Sequence, residues 1–436
     1  MKSVYIESLG CAKNQVDSEV LYGYLSNEYK LVKDASKASL IIVNTCGFIE
    51  SAKEESINVF FKLKNSYPNA KIILAGCLAQ RYFNELTEQL KEADAVFGNR
   101  DLSKIKDVVN DLKSLNPGYS APTNEIRKYL MNYPGSAYVK ISEGCNHRCS
   151  FCAIPNIRGS LRSKNLSDVL KEVESLVKTG VKEINLIAQD LCSYGLDLKT
   201  DINVGFIDLL EYLNEMRLNF KIRLLYLHPD YITPELIKTI KKCDKVLHYF
   251  DIPFQHCNEE LLKKMGRKGN FNQYLDMVTM IKEEIPDAVI RTTLMLGFPS
   301  DNENCFNELI EFIEKCHFTW MGSFLYSLEE NTKAYEMIDE NEYKILNKES
   351  KKWKNKLEKI QKKITEKELK NFIDKTYPVI IEEKIKNEDL YIGRMYAQAP
   401  EVDGLTVVSG ENLKCGEIYM CHITGISGID LKAIKI

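Results

Sequence analysis

Thirteen of the 436 residues are cysteine, and three of them fall close together in Cys145-Asn-His-Arg-Cys149-Ser-Phe-Cys152. Spaced C-x-x-x-C-x-x-C, these thiols can turn inward from one loop onto a single soft-metal centre; thiolates suit zinc and iron–sulfur clusters. A closed structural site takes four ligands. Either His147 completes a zinc site, or a cubane cluster is held by three Cys and keeps one iron free for a substrate or cofactor. Chance clustering of unligated thiols is the third possibility. A second set is dispersed: Cys11, Cys46 and Cys77 each close an apolar run that reads as a strand (4–9, 40–43 and 71–75) and open a helical stretch. Parallel strands point the same way, so the three positions meet at one sheet edge. Gly10, Gly47 and Gly76 permit the tight turns needed there, and the helix N-termini that follow favour thiolate over thiol. Separate Cys are more often small buried hydrophobes, but the same topological position three times points to a second metal site. Cys243, Cys257, Cys305, Cys316, Cys415 and Cys421 match no ligand spacing and read as packing thiols. Cys192, just after Gln189-Asp190, carries no clear assignment.

The other totals exclude several classes. With 44% hydrophobic and 28% charged residues, the chain is an ordinary globular one, neither disordered nor collagen-like. A net charge of -3 gives no uniform field that would mark a nucleic-acid binder. An odd thiol count in a long chain with no visible secretory signal argues against a disulfide framework. The first ten residues read as an alternating strand containing Glu7, not as a signal peptide. No window approaches about 18 uninterrupted apolar residues, so no membrane partner is expected and a cytoplasmic location is.

The elements that must position these residues follow a simple order. Residues 1–113 alternate strand and helix: strands at 4–9, 40–43, 71–75 and 95–97, helices near 15–29, 50–64 and 81–90. This implies a parallel α/β domain. Residues 114–136 carry turn formers and read as a linker. From 137 to 340, strands at 137–141, 183–188, 221–227, 246–252, 288–296 and 320–326 alternate with helices; six repeats fit a partial (β/α)6 barrel, with function at the C-terminal strand ends. Residues 341–375 lack Pro and Gly and hold 12 Lys against 6 acids, so they read as a connecting amphipathic helix whose basic face is solvated rather than RNA-binding. Residues 376–436 carry short strands at 379–382, 391–397, 405–408 and 418–423 between turns, a small antiparallel β-barrel.

Residues 144–164, GCNHRCSFCAIPNIRGSLRSK, resemble the radical S-adenosylmethionine enzymes. That resemblance implies a [4Fe–4S] cluster on Cys145, Cys149 and Cys152 whose open iron chelates S-adenosylmethionine, with Gln189 near the methionine part and Phe151 near the adenine. An N-terminal α/β domain with three strand-end Cys, a radical barrel and a small terminal barrel that looks like a TRAM domain together resemble the methylthiotransferase family, over essentially the whole chain. The resemblance implies a second [4Fe–4S] cluster on Cys11, Cys46 and Cys77. It also implies two uses of S-adenosylmethionine, as methyl donor to cluster-held sulfide and as radical source.

Family members modify tRNA adenosine or an aspartate of the twelfth protein of the small ribosomal subunit. Ser8-Leu-Gly-Cys-Ala-Lys-Asn14, Val16-Asp-Ser-Glu19, Val43-Asn-Thr-Cys-Gly-Phe-Ile49, Ile141-Ser-Glu-Gly-Cys145, Ile157-Arg-Gly159, Leu224-Leu-Tyr-Leu-His-Pro-Asp230, Asp251-Ile-Pro-Phe-Gln-His256 and Ala399-Pro-Glu-Val-Asp-Gly404 resemble the ribosomal-protein type. This implies 3-methylthioaspartate as product, a flavodoxin or ferredoxin as electron donor, and no tRNA partner. Charge argues the same way. RNA-gripping domains are basic, whereas residues 376–436 hold 6 basic and 9 acidic side chains, and the loop with Glu401 and Asp403 suits a basic protein. The alternatives are a tRNA adenosine methylthiotransferase and, in another class, a non-catalytic Fe–S or ribosome-binding protein. His147 and His256 read as satisfied structural histidines or as groups supporting a metal site.

Overall fold

Strands β1 (Lys2–Ser8), β2 (Tyr29–Leu31), β3 (Leu40–Thr45), β4 (Lys71–Gly76) and β5 (Ala95–Phe97) form a parallel sheet in the order β2-β1-β3-β4-β5. β3 is buried at every position, as a strand covered on both faces must be. Leu40 and Ile42 face Leu21 and Leu25 of the helix Ala12–Leu25, while Ile41 and Val43 face Phe60 and Leu63 of the helix Glu50–Ser66. The helix expected at 81–90 is two, Cys77–Arg81 and Phe83–Gln89, parted at Tyr82 where ψ is 39°. The computed structural model describes every residue except 1, 121, 123–126 and 200–203.

Part of the expected linker, 114–136, lies outside the described residues. The rest is a strap rather than a free connection. Leu115 bridges to Phe97, Tyr119 lies between the guanidinium groups of Arg100 and Arg162, and Arg127 pairs with Glu19 of the first domain and, at 3.0 Å, with Glu172 of the second.

The second sheet contains β6 (Ser136–Lys140), β9 (Glu183–Ile187), β10 (Lys221–Leu224), β11 (Val246–Gln255), β12 (Val289–Leu296) and β13 (Trp320–Leu325). All are parallel, in the order β13-β12-β11-β10-β9-β6, with β13 and β6 as free edges. This is the partial barrel. A short antiparallel pair, β7 (Ser142–Glu143) with β8 (Arg162–Ser163), brackets the second cysteine loop. Alternation along the strands sorts the two faces. Ala137, Val139, Ile184, Leu186, Ile222, Leu224, Phe250 and Ile252 pack under the helices. The opposite row, including Tyr138, Lys140, Glu183, Arg223, Tyr249 and Arg291, is met by the other two domains.

The helix Glu340–Leu369 packs along this sheet through Trp353, Leu357 and Ile364, with Trp353 stacked on Phe306 at 5.4 Å. It is a packed connector, and its lysines lie on the outer side.

Strands β14 (Thr376–Lys384), β15 (Leu390–Arg394), β16 (Thr406–Ser409), β17 (Ile418–Ser427) and β18 (Asp430–Lys435) close a barrel in the order β14-β15-β16-β18-β17. Four pairings are antiparallel, but β16 and β18 run parallel. β18 escaped the sequence reading because DLKAIK buries only Leu431 and Ala433.

The terminal barrel docks on the open sheet through buried charge. Glu183 takes Arg223 at 3.2 Å and Arg394 at 2.9 Å, and Arg394 also takes Glu382 at 2.6 Å. Trp320 Nε1 donates to Ala397 O at 2.6 Å. Asp403 accepts from Tyr249 Oη at 2.5 Å and from the Ala399 N–H at 2.8 Å, and faces Arg291 at 3.4 Å. Its side chain is 1% exposed. The expectation that Asp403 meets a basic partner therefore fails: it anchors the loop 399–404 to the barrel.

Burial opposes the charge of Glu183, but Arg223 and Arg394 overcome it and hold its carboxyl down from 4.5 to about 2. A depressed carboxylate stabilises the fold above its unfolded pKa, and that contribution is lost as pH falls through the folded one. Glu183→Ala leaves Arg223 without a carboxylate and two guanidinium groups beside Glu382. We expect it to cost about 3–5 kcal/mol at neutral pH, read by urea unfolding. The gap from the parent chain should narrow as pH falls from about 4.5 to 2.

Candidate active site

Because β1, β3 and β4 are parallel neighbours, their C-terminal ends lie side by side. Cys11 precedes the helix Ala12–Leu25, and Cys77 opens the helix Cys77–Arg81. Cys46 follows β3 but stands four residues ahead of its helix at Glu50, so it does not open one as expected. Two glycines let the strand ends close up. At Gly10, with φ 91°, a Cβ would meet Cys46 Cβ at 2.8 Å and Cys46 Sγ at 3.2 Å; at Gly47 it would meet the Leu78 backbone at 2.7 Å.

Asn14 is the hub of this edge. Its Nδ2 donates to Leu9 O and Thr45 O, each at 2.9 Å, and its Oδ1 accepts from the Cys77 thiol at 3.3 Å and from Arg158 at 2.7 Å. Asn99 Nδ2 also reaches Cys77 Sγ, at 3.4 Å. Cys11 opens onto a cavity of about 320 Å³ lined also by Glu7, Gln15, Met131 and Glu401.

Of the free thiols here, only Cys11 meets the expectation of easier ionisation. Protein packed around it opposes the charge even though the sulfur side is open to the cavity, but Lys13, Arg158 and the backbone N–H groups of Asn14 and Lys13 outweigh that and lower its pKa. Burial raises Cys46 and pushes Cys77 up to about 12; Cys46 and Cys11 add to the rise at Cys77, a sign of how near the three thiols lie.

The second trio occupies the loop between β7 and the helix Ile154–Arg158. The loop is tied down: Cys145 N–H donates to Gly159 O at 3.1 Å, Cys152 N–H to Cys149 O at 3.1 Å, and Ser150 Oγ to Lys264 O at 2.8 Å. Burial, with the neighbouring thiols adding, puts Cys145 at about 11 and Cys152 at about 12. His147 does not join the thiols. Its Nε2 hydrogen-bonds Asp190 at 2.8 Å and its ring stacks on His228, centroids 4.1 Å apart, which removes the support for a zinc site completed by His147. His256 is fully buried; its Nδ1 accepts the N–H groups of Cys257 and Asn258 at 2.9 and 3.0 Å, and burial brings it down to about 3.

Gln189 donates through Nε2 to Glu143 at 2.8 Å, while its buried Oε1 has no partner among the described residues. Phe151 is half-buried against the barrel core. Cys192 is a packing thiol, raised well above its ordinary value by burial and by Asp190. Cys243, Cys257, Cys305, Cys316 and Cys421 are buried as expected, but Cys415 is exposed and packs nothing.

The two trios adjoin. Cys77 packs with Ala153, next to Cys152, and with Ile157. Arg158 ties the contact: it reaches Cys77 Sγ at 3.2 Å, Asp17 at 2.9 Å and Glu143 at 2.8 Å, while Lys140 pairs with Asp17 and, at 2.6 Å, with Glu143. Asn14, Asp17, Glu143 and Arg158 all lie in the motifs quoted above, yet spacing gave them no role, since the pairs that join the two domains, Asn14 and Asp17 with Arg158 and Asp17 with Lys140, are more than a hundred residues apart. Among the described residues no three His, Cys, Asp or Glu side chains are drawn in as for a single ion. A cubane, bonded at its corners, takes its thiolates further apart than one ion does. Two sets of three thiols with no engaged fourth ligand, and an unpaired amide oxygen beside the second, fit two such clusters and a polar co-substrate.

No helix among the described residues is long and apolar enough to cross a membrane. Residues 3–98 match a model described as uncharacterized protein family UPF0004, residues 139–313 the radical SAM superfamily, and residues 373–436 the TRAM domain. The chain is 40% identical to the ribosomal protein uS12 methylthiotransferase RimO of Carboxydothermus hydrogenoformans over 98% of both chains. It is 41% identical to that of Clostridioides difficile over 99% of this chain and 98% of the other. Among solved structures it resembles in fold the radical S-adenosylmethionine methyltransferase TsrM of Kitasatospora setae, with a TM-score of 0.54, 15% identity and coverage of 74% of this chain and 75% of that one. The cobalamin-dependent S-adenosylmethionine radical enzyme OxsB gives 0.51 at 14% identity, over 82% of this chain and 56% of that one. With full-length relatives at this identity and all three regions matched, the chain is an enzyme that belongs to the RimO family of radical S-adenosylmethionine methylthiotransferases.

Proposed function

We propose that the chain methylthiolates the β-carbon of an aspartate in the small-subunit ribosomal protein uS12, giving 3-methylthioaspartate, with a [4Fe–4S] cluster on each cysteine trio and S-adenosylmethionine as methyl donor and radical source. The observation that carries this reading is the packing of Cys77 on Ala153, beside Cys152: chemistry begun at one trio and completed at the other needs both within reach of one carbon. The uS12 named in the relatives supports the substrate.

When bound, a reduced cubane with one iron free of the protein supplies one-electron chemistry to S-adenosylmethionine, and a second cubane supplies a place to carry sulfur. The chain's own side chains do the rest. Cys145, Cys149 and Cys152 present three thiols from a loop held by backbone hydrogen bonds. Gln189 offers its unpaired Oε1 to the methionine part of the co-substrate, and Phe151 its ring to the adenine. Arg158 and Asn14 fix Cys77, and Ala153 and Ile157 exclude water between the trios. A flavodoxin- or ferredoxin-type donor in the cytoplasm completes the proposal.

Anaerobic reconstitution should load roughly eight irons on the parent chain and roughly four when either trio is changed to Ala. Cys11→Ala/Cys46→Ala/Cys77→Ala should still cleave S-adenosylmethionine but transfer no methylthio group to a uS12 target-loop peptide, by mass spectrometry. Cys145→Ala/Cys149→Ala/Cys152→Ala should cleave none. Full iron without the first trio overturns the second cluster; methylthioadenosine in tRNA with unmodified uS12 overturns the substrate. Arg158→Met should uncouple the halves, keeping cofactor cleavage while product per cleavage falls at least about tenfold, because Lys140 is then the one cation left to Asp17 and Glu143 among the described residues and the domains no longer hold register.

A further inference from the structure

Two lysines enter the seam between the first domain and the barrel, and they are treated differently. Lys140 is buried and paired with both Asp17 and Glu143. Lys13, two residues from Cys11 in the first turn of the helix Ala12–Leu25, is half-buried, and among the described residues no carboxylate lies within ion-pair distance of it. Its Nζ instead sits 3.4 Å from the centroid of the Tyr226 ring. A ring face is worth less to an ammonium than full removal of that ion from water costs.

The surroundings hold that arrangement in place. Tyr226, just past β10 at the mouth of the barrel, has φ 73°, a left-handed backbone that strains an aromatic residue and persists only where its neighbours fix it. Its N–H donates to Asp251 Oδ2 at 3.1 Å. Two carboxylates of this region are already engaged: Asp251 Oδ1 takes Arg291 at 3.0 Å, and Asp403 takes Tyr249 and the Ala399 N–H. The seam thus presents one aimed cation facing the barrel mouth: the Cys11 thiol feels its charge, Glu7 and Glu401 line the cavity at Cys11, and among the described residues no carboxylate is paired with it.

We propose that Lys13 binds the carboxylate of the residue to be modified and that Tyr226 aims it. This rests on the reading that the target is an aspartate. In aspartate the β-carbon is bonded directly to the side-chain carboxylate, so an ammonium gripping that carboxylate two residues from Cys11 fixes the reacting carbon between the trios. Asparagine, equal in shape, offers no charge to the ammonium and binds less well.

The test is anaerobic fluorescence anisotropy with the reconstituted full-length chain and two labelled peptides, the uS12 target loop and the same loop with its target Asp changed to Asn. Iron content is recorded for every variant. The parent chain should bind the Asp peptide about 10- to 100-fold more tightly, the span of a hydrogen bond between charged groups. Lys13→Met should erase that preference by weakening the Asp peptide alone, and Lys13→Arg should retain most of it. Equal binding of the two peptides by the parent chain overturns the proposal without need of any variant. So does a Lys13→Met chain that weakens both equally, which would assign the ammonium to the cluster side of the seam. Mass spectrometry of the Asp peptide after turnover by the parent chain reports separately on the function. Methylthiolation without a carboxylate preference sinks the role of Lys13 alone; a preference without methylthiolation sinks the reading of the reaction.

Discussion

Four buried charges decide how this enzyme is assembled. Lys140 and Arg158 come from the barrel, Asp17 from the first domain, and Glu143 from the start of the cysteine loop, and all four side chains are under 10% exposed. Burial opposes the charge of Glu143, and Arg158 and Lys140 hold its carboxyl far below the ordinary range regardless. Such a set is stable only when complete, because one missing partner leaves a buried charge uncompensated. Docking of the first domain therefore has one register. Arg158 ends the helix that follows Cys152 and also touches Cys77 Sγ, so the register that satisfies the charges also brings the trios together.

The open sheet makes this possible. A closed barrel fills its interior with its own side chains. Here six strands stop short of closure, and the face turned from the helices is covered by the other two domains. The first domain lays Val16 and Val20 against it; the terminal barrel brings Met395, Ala397 and Ala399. Between these apolar patches lie the polar pairs, Asp17 with Lys140 at one end and Arg394 with Glu183 at the other. The barrel's interior is thus an interface, and its strands alternate aliphatic with charged residues where a closed core would be apolar on both sides.

That explains what could be read from the chain and what could not. Strand-end cysteines, the C-x-x-x-C-x-x-C loop and the six repeats are local patterns, and local spacing fixes them. The helix Glu340–Leu369 is legible for the same reason: Trp353, Leu357 and Ile364 recur at helical spacing. Long-range pairing leaves no such trace. Arg127 falls in a stretch rich in turn formers yet bridges two domains through Glu19 and Glu172. Tyr226 takes a left-handed backbone that nothing in its neighbours announces. The acidity of the thiols was misjudged because burial at Cys46 and Cys77 exceeds the helix-end effect.

Charge counting shows the same divide. The terminal segment sums to an acidic total, but Glu382, Arg394 and Asp403 lie inside contacts and present nothing to a partner. Glu401, two residues before Asp403, is exposed and lines the cavity at Cys11 together with Glu7. Lys13 lies over the Tyr226 ring and is not among the residues lining that cavity. The open side of Cys11 is therefore lined by two carboxylates. Two carboxylates there favour a basic segment and oppose a polyanion. The acidity that bears on a partner thus lies in two side chains at one cysteine, Glu7 and Glu401, and not in the segment total.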